Sequence, residues 1–255
     1  LYTLYSEKSR VFNEGGYYIL GEKFGTPEEV KCIIDAGPIG YLSLAAHGHS
    51  DALAFYLTIE GDEIFIDPGT YNYYSDKNFR NYFRGTSAHN TVRIDKEDQS
   101  TIFGTFMWSQ KAKAKMDKLR MSETKDLFFG HHDGYMRLQD PVLHKRKITI
   151  DKKVNKIKLD DMIICKDEHL VEVFFHLSEN CRVEVKDKRN ALIRISEKKV
   201  RLSITSDNLH FSVHYGQTDP PLGWVSRKFG EKSPTTTLVA SGKINGSTNI
   251  NFGLE

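Results

Sequence analysis

The sequence predicts an all-β protein, a large antiparallel β-sandwich, and three observations carry that expectation. Short runs with period-two alternation recur along most of the 255 residues. Turn-rich breaks separate them at short, fairly regular intervals. Helical periodicity is nearly absent, with only Asn78–Phe83 reading as a turn or so of helix.

In chain order, the first predicted strand is the glycine-bounded, aromatic-rich run Gly15–Leu20, and the second is Val30–Asp35, stopped by Gly37-Pro38. Ala54–Ile59 and Ile64–Asp67 flank Gly61-Asp62, a two-residue loop of the kind that closes a hairpin. Lys111–Met116, Ile148–Ile150 and Lys156–Leu159 alternate with period two, and Val171–Phe175, Val183–Val185, Leu192–Ile195 and Leu202–Ile204 continue the pattern. Strands of this type hide one face and wet the other, which is how a sandwich is built. Beyond about residue 217 the strand signal fades, with Pro220-Pro221 and Ser241–Ser247 reading as loop. Residues 1–255 are therefore expected to form one domain with an irregular C-terminal tail.

Hydrophobic residues at 39% and charged residues at 27% exclude wholesale disorder. No apolar run approaches the roughly 20 residues of a membrane helix. A net charge of +2 argues against a dedicated nucleic-acid protein. Cys32, Cys165 and Cys181 cannot all pair internally and match no zinc-finger spacing. Cys165 and Cys181 read as buried small apolar residues. The chain opens at Leu1 without a leader, so it reads as a piece of something longer. Lys111, Lys113 and Lys115 read as a solvated sheet edge. Lys145-Arg146-Lys147 and Lys152-Lys153 read as solvated faces or the lining of a groove for an acidic polymer.

The chemistry-bearing stretch begins at His47-Gly48-His49-Ser50-Asp51. In an extended segment two histidines one residue apart face the same side. Asp67 and His89 follow, and two imidazoles with a carboxylate are a ligand set that zinc accepts. A metallo-β-lactamase pattern fails at Ala52, and a cupin pattern fails where Leu53, Ala54 and Phe55 stand in place of a glutamate. Reflection about Gly61-Asp62 places Asp67 opposite Tyr56, so residues 47–51 must curl back if Asp67 is to join His49. Gly48 permits that. Each residue also has a plainer role: Asp67 as a turn cap before Pro68-Gly69, Asp51 as a cap or as the group setting a histidine tautomer. Arg84 either grips a substrate carboxylate or makes a structural salt bridge. Tyr71 and Tyr73 either stack on sugars or pack. His131-His132 reads as loop or sheet edge and His176 as core.

Three linked motifs, His47–Phe55, Asp67–Tyr71 and Arg84–Val92, together with His132–Tyr135, His144–Arg146 and Phe174–Leu177, resemble the heparinase II/III-like family of polysaccharide lyases. The resemblance runs from about Gly16 to Val183. It implies an N-terminal α/α toroid followed by a β-sandwich, of which this chain is the second half. It implies β-elimination on a uronic-acid polysaccharide. His47 would handle a proton, together with groups on the toroid that neutralise the substrate carboxylate. It further implies a zinc or other divalent metal held by His49, Asp67 and His89, mainly structural in role. Without the toroid the isolated chain is expected to be inactive, and the family places the protein in the periplasm or outside the cell. The alternative is a non-catalytic, metal-stabilised sandwich that binds acidic polysaccharide or a partner domain.

Overall fold

The computed structural model describes residues 8–40 and 44–255. The chain opens with five strands, β1 (Lys8–Phe12), β2 (Tyr17–Glu22), β3 (Val30–Asp35), β4 (Phe55–Ile59) and β5 (Asp62–Phe65), joined in sequential antiparallel order. The β4–β5 loop is Glu60-Gly61, one residue earlier than expected, with Ile59 paired to Asp62. Both loop residues have positive φ, 49° and 81°, the backbone that matches a two-residue hairpin to strand twist.

Helix α1 (Lys77–Arg84) follows, started by Asp76, whose side chain accepts from the Phe79 N–H at 3.1 Å. Its apolar stripe, Phe79, Tyr82 and Phe83, packs with Tyr71, Leu222 and Trp224 in a small satellite core. Next come β6 (Val92–Ile94) and the ribbon β7 (Thr101–Gly104) and β8 (Met107–Gln110). A long meander then runs through β9 (Ala114–Met121), β10 (Lys125–His132), β11 (Leu143–Asp151) and β12 (Lys156–Ile164). After β13 (Glu168–His176) come β14 (Arg182–Asp187), β15 (Asn190–Ile195), β16 (Lys198–Ile204) and β17 (His210–Tyr215). The final segment holds β18 (Gln217–Thr218), β19 (Pro221–Leu222), β20 (Trp224–Lys228), β21 (Glu231–Pro234), β22 (Thr236–Asn245) and β23 (Thr248–Leu254).

One layer of the sandwich is an eight-stranded sheet in the order β14-β15-β16-β23-β12-β11-β10-β9. The facing layer is the first sheet together with a four-stranded sheet, β17-β22-β13-β6. The bridge between Phe65 and Leu177 joins these two edge to edge. Phe175 of β13 meets Phe252 of β23 at 5.1 Å between ring centres, and Tyr18 of β2 meets Phe128 of β10 at the same separation. Those contacts close the two layers over one apolar core running from Tyr18 to Leu254. Burying each such ring contributes roughly 1.5–3 kcal/mol.

Two expectations need correction. The segment after 217 is not an irregular tail, because β22 and β23 are interior strands of the two layers. The glycine that disguised β22 is a close-packing position: a Cβ at Gly242 would stand 1.8 Å from the Asn208 carbonyl oxygen. The basic run at 145–147 is not simply a solvated face. Strand β11 buries alternate residues, so His144, Arg146, Ile148 and Ile150 point inward while Lys145 and Lys147 lie between them on the other face.

Candidate metal and proton-transfer site

The loop between β3 and β4 is held in a curled path by backbone contacts. Ala45 and Leu53 take positive φ, the Gly48 N–H donates to the Ala45 carbonyl at 2.9 Å, and the Leu53 N–H donates to the Asp35 carbonyl at 2.7 Å. A Cβ at Gly48 would lie 2.8 Å from the Gly40 nitrogen, so only glycine lets the two loop segments touch. Ser50 fastens this loop to the turn after α1. Its N–H donates to the Arg84 carbonyl and its Oγ accepts from the Thr86 hydroxyl, at 2.8 and 2.9 Å.

Because the segment turns, His47 and His49 do not share the surroundings that an extended strand would give them. His47 is exposed, its Nδ1 3.1 Å from the Tyr73 hydroxyl and its ring between those of Tyr73 and Phe106. His49 is half-buried, with its ring centre 5.2 Å from that of His89. His89, fully buried, leaves the short 3₁₀ turn Thr86–Ala88 and presents Nδ1 to Asp67 Oδ2 at 2.9 Å. The other oxygen of Asp67 accepts from the Gly69 N–H at 2.8 Å, the turn cap its sequence position suggested. Tyr56 approaches Asp67 at 3.4 Å.

His49, Asp51 and His89 each offer one donor atom, and these lie within 4.8 Å of one another. The four residues His49, Asp51, Asp67 and His89 are thus brought together, with Asp67 seated on the Nδ1 of His89. A buried imidazole nitrogen, Nε2 of His89, has no hydrogen-bond partner among the described residues. An orphaned ligand-type nitrogen beside a second imidazole and carboxylates fits a divalent cation, and a carboxylate on the far nitrogen of a ligating histidine is the usual support for one.

The electrostatics agree. Burial drives His49 down to about 3, helped by the charge of His89, so its ring is neutral; its Nε2 lies 3.5 Å from the Thr70 hydroxyl. Burial, reinforced by Asp35 and Asp67, pushes Asp51 up to about 7 although His89 opposes it. Burial would raise Asp67 too, but the hydrogen bond and charge of His89 hold it down at about 2. Crowded carboxylates in a partly enclosed pocket repel one another, and a bound cation would relieve that repulsion.

Arg84 is not in a salt bridge among the described residues. It is buried with Arg80, and both guanidinium groups donate to the Thr105 carbonyl, at 2.9 and 3.3 Å. Tyr73 lines the cavity these arginines share, whereas Tyr71 packs behind α1 against Phe79 and Phe83. His132 is not at a sheet edge but in the core, bonded to His144 at 3.0 Å. His144 continues to Asp161 at 2.8 Å, and Arg146 clamps both oxygens of Asp161 at 2.7 and 2.9 Å. One more nitrogen of Arg146 donates to the carbonyls of Leu53 and Asn90, pinning the two loops that carry Asp51 and His89. Sequence reasoning missed Arg80, Phe106 and the inward turn of Arg146. Only the basic stripe Lys77, Arg80, Arg84 at helical spacing was there to be read.

The chain matches the heparinase II/III-like, C-terminal, family over residues 6–253. The chain belongs to that family. It is similar to a heparin-sulfate lyase of Bacteroides thetaiotaomicron, at 27% identity over 183 residues, covering 69% of this chain and 24% of the relative. Its fold is similar to that of a heparan sulfate lyase from Pedobacter heparinus, with a TM-score of 0.78 at 17% identity over 97% of this chain and 36% of that one. A heparinase III structure gives a TM-score of 0.77 at 19% identity, again over 36% of its length. The chain therefore spans about a third or less of these heparinase-family proteins, and in the described residues no helix is long and apolar enough to cross a membrane.

Proposed function

We propose that this chain is the β-sandwich part of a polysaccharide lyase that cleaves a glycosaminoglycan or another uronic-acid polymer by β-elimination. The observation that carries the reading is the position of His47: exposed, held by Tyr73, and backed by the partly buried histidine–carboxylate cluster. In the elimination a base removes the proton on the carbon next to the substrate carboxylate. A carbon–carbon double bond forms as the carbon–oxygen bond to the departing sugar breaks, and that oxygen takes up a proton. His47 either transfers one of these protons or neutralises the carboxylate; a positioned group of this kind contributes about 10²–10⁴-fold. Exposed rings of Tyr74, Phe103 and Phe229 around the same mouth offer faces on which sugars stack.

A divalent metal, zinc in the first instance, would be held by His49 and His89 together with one carboxylate, from Asp51 or Asp67. When bound, it supplies positive charge that fixes the two loops. The chain's own residues do the rest: Ser50 and Gly48 hold the curl, and Tyr73 orients His47 toward solvent. The remaining cleft comes from the part of the longer protein that precedes this sandwich, an α/α toroid, and the polymer substrate places the protein in the periplasm or outside the cell.

The test is His47→Ala in the complete protein, read as ultraviolet absorbance of unsaturated product. Turnover should fall at least 100-fold while polysaccharide binding is retained, and the 255-residue chain alone should release no product. Unchanged turnover in the variant would leave a non-catalytic, metal-stabilised binding module as the better account.

A further inference from the structure

Helix α1 carries its polar residues in an unusual arrangement. Lys77, Arg80 and Arg84 follow helical spacing and form one cationic face, opposite the apolar stripe that packs on Trp224. Like charges three or four residues apart oppose helix formation by about 0.2–0.5 kcal/mol per pair, so local stability does not explain the stripe. Burial makes it worse. Arg80 and Arg84 are each 1% exposed, and neither has a carboxylate in ion-pair range among the described residues. The acid that acts most on Arg84, Asp98, bonds the Thr86 N–H instead.

Among the described residues, three guanidinium nitrogens have no hydrogen-bond partner: Nε and Nη1 of Arg80 and Nε of Arg84. Those that are satisfied reach only neutral acceptors, the shared Thr105 carbonyl and, for Arg84, the Asn81 side chain. The two cations are further supported from their faces by aromatic rings, Arg80 by Tyr73 at 5.0 Å and Arg84 by Trp108 at 5.3 Å. Both arginines and Lys77 line one cavity of about 470 Å³, closed on its other side by the β7–β8 ribbon. Uncompensated buried charge is destabilising unless a partner arrives. Here three cations face a space large enough to admit one.

We propose that Lys77, Arg80 and Arg84 form a subsite for a sulfate ester of an acidic polysaccharide. Donors on two separate guanidinium groups suit an oxyanion that presents several oxygens in different directions, whereas a planar carboxylate is matched by one fork. Tyr73 lies between this subsite and His47, its ring touching Arg80 on one side and His47 on the other. A sulfate held there sets which sugar of the chain reaches His47. The sugar assignment rests on the lyase reading above; the anion site itself does not.

The experiment is equilibrium binding of inorganic sulfate to the 255-residue chain by calorimetry, at constant ionic strength with chloride as balance, and with acetate as a parallel titrant. Wild type should bind sulfate in preference to acetate, and Arg80→Gln and Arg84→Gln should weaken it at least tenfold. Lys77→Gln, an exposed position that does not threaten folding, should weaken it several-fold. Without sulfate, Arg80→Gln should melt no lower than wild type, since it removes an uncompensated buried charge. A purely structural arginine would instead leave its variant less stable in both buffers. Equal sulfate binding by wild type and all three variants, or preference for acetate, would overturn the assignment. Since no turnover is measured, failure of the lyase reading leaves this result untouched, and failure here leaves the role of His47 standing.

Discussion

Replacing Arg146 by methionine should nearly unfold the protein and, in any population that remains folded, loosen the proposed metal site. Arg146 and Asp161 are both fully buried, and their paired hydrogen bonds are the contact that makes a carboxylate tolerable inside the core. Removing one member of such a pair costs about 3–5 kcal/mol. Two buried carbonyls, those of Leu53 and Asn90, lose a donor at the same time, adding on the order of 1–3 kcal/mol each if no water replaces it. A typical domain has only about 5–15 kcal/mol of stability in total. The melting temperature should therefore drop by at least roughly 10 °C, taking about 2–4 °C per kcal/mol for a chain of this size. Urea unfolding followed by circular dichroism measures the change. The double variant Arg146→Met, Asp161→Leu removes both charges and should recover the part of the loss that comes from the stranded carboxylate, while the Leu53 and Asn90 carbonyls and His144 stay without their partners. A single variant within about 1 kcal/mol of wild type, or a double variant no better than the single, would refute the reasoning.

Elemental analysis of the purified chain should find about one divalent ion per molecule, lost in His49→Ala, while Asp51→Asn and Asp67→Asn show which carboxylate binds it directly and which only supports His89, a supporting group typically being worth about 10–100-fold in affinity. Substituting Gly48 by alanine should weaken metal binding with little effect on the distant sheet, since the new Cβ would collide with Gly40; unchanged affinity would show that the curl tolerates a side chain. Gly242→Ala should destabilise by about 1–3 kcal/mol through overpacking against Asn208, read from its urea midpoint. His169 is raised above its ordinary value near 6.5: burial opposes this, but hydrogen bonds to Asp95 and Asp140 outweigh it. Its stabilising contribution is thus complete below pH 6.5 and lost as pH rises through the folded value. The gap in melting temperature between wild type and His169→Gln should accordingly shrink with rising pH, and a constant gap would contradict the ion pairing.

Much of the fold was legible because its signal is local. Alternation at Val30–Asp35 and Leu192–Ile195 reflects one wetter and one dry face, a property each strand carries by itself, whereas the apolar run Val173–Phe175 is buried on both faces. Helix α1 was legible only as the turn or so read at Asn78–Phe83, short of the Lys77–Arg84 it spans. The C-terminal strands were hidden because Ser241 and Gly242 read as loop, while their actual constraint is a neighbouring backbone far away in sequence.

The site divides along the same line. From sequence alone, His47, His49, Asp67 and His89 were grouped through the family resemblance that the order of the motifs carries, while the hairpin reflection left open whether Asp67 reaches His49. Only tertiary structure decided which way each one faces. Whether a ring meets solvent, a carboxylate or another imidazole depends on the curl from Ala45 to Leu53, and that path is set by contacts with Gly40, Asp35 and Thr86. The same holds for Arg146, whose neighbours in sequence are two lysines and whose partners are Asp161, Leu53 and Asn90. A residue's type fixes what it can bond, but whether it is buried, and against what, is settled by chain segments that the local sequence does not contain.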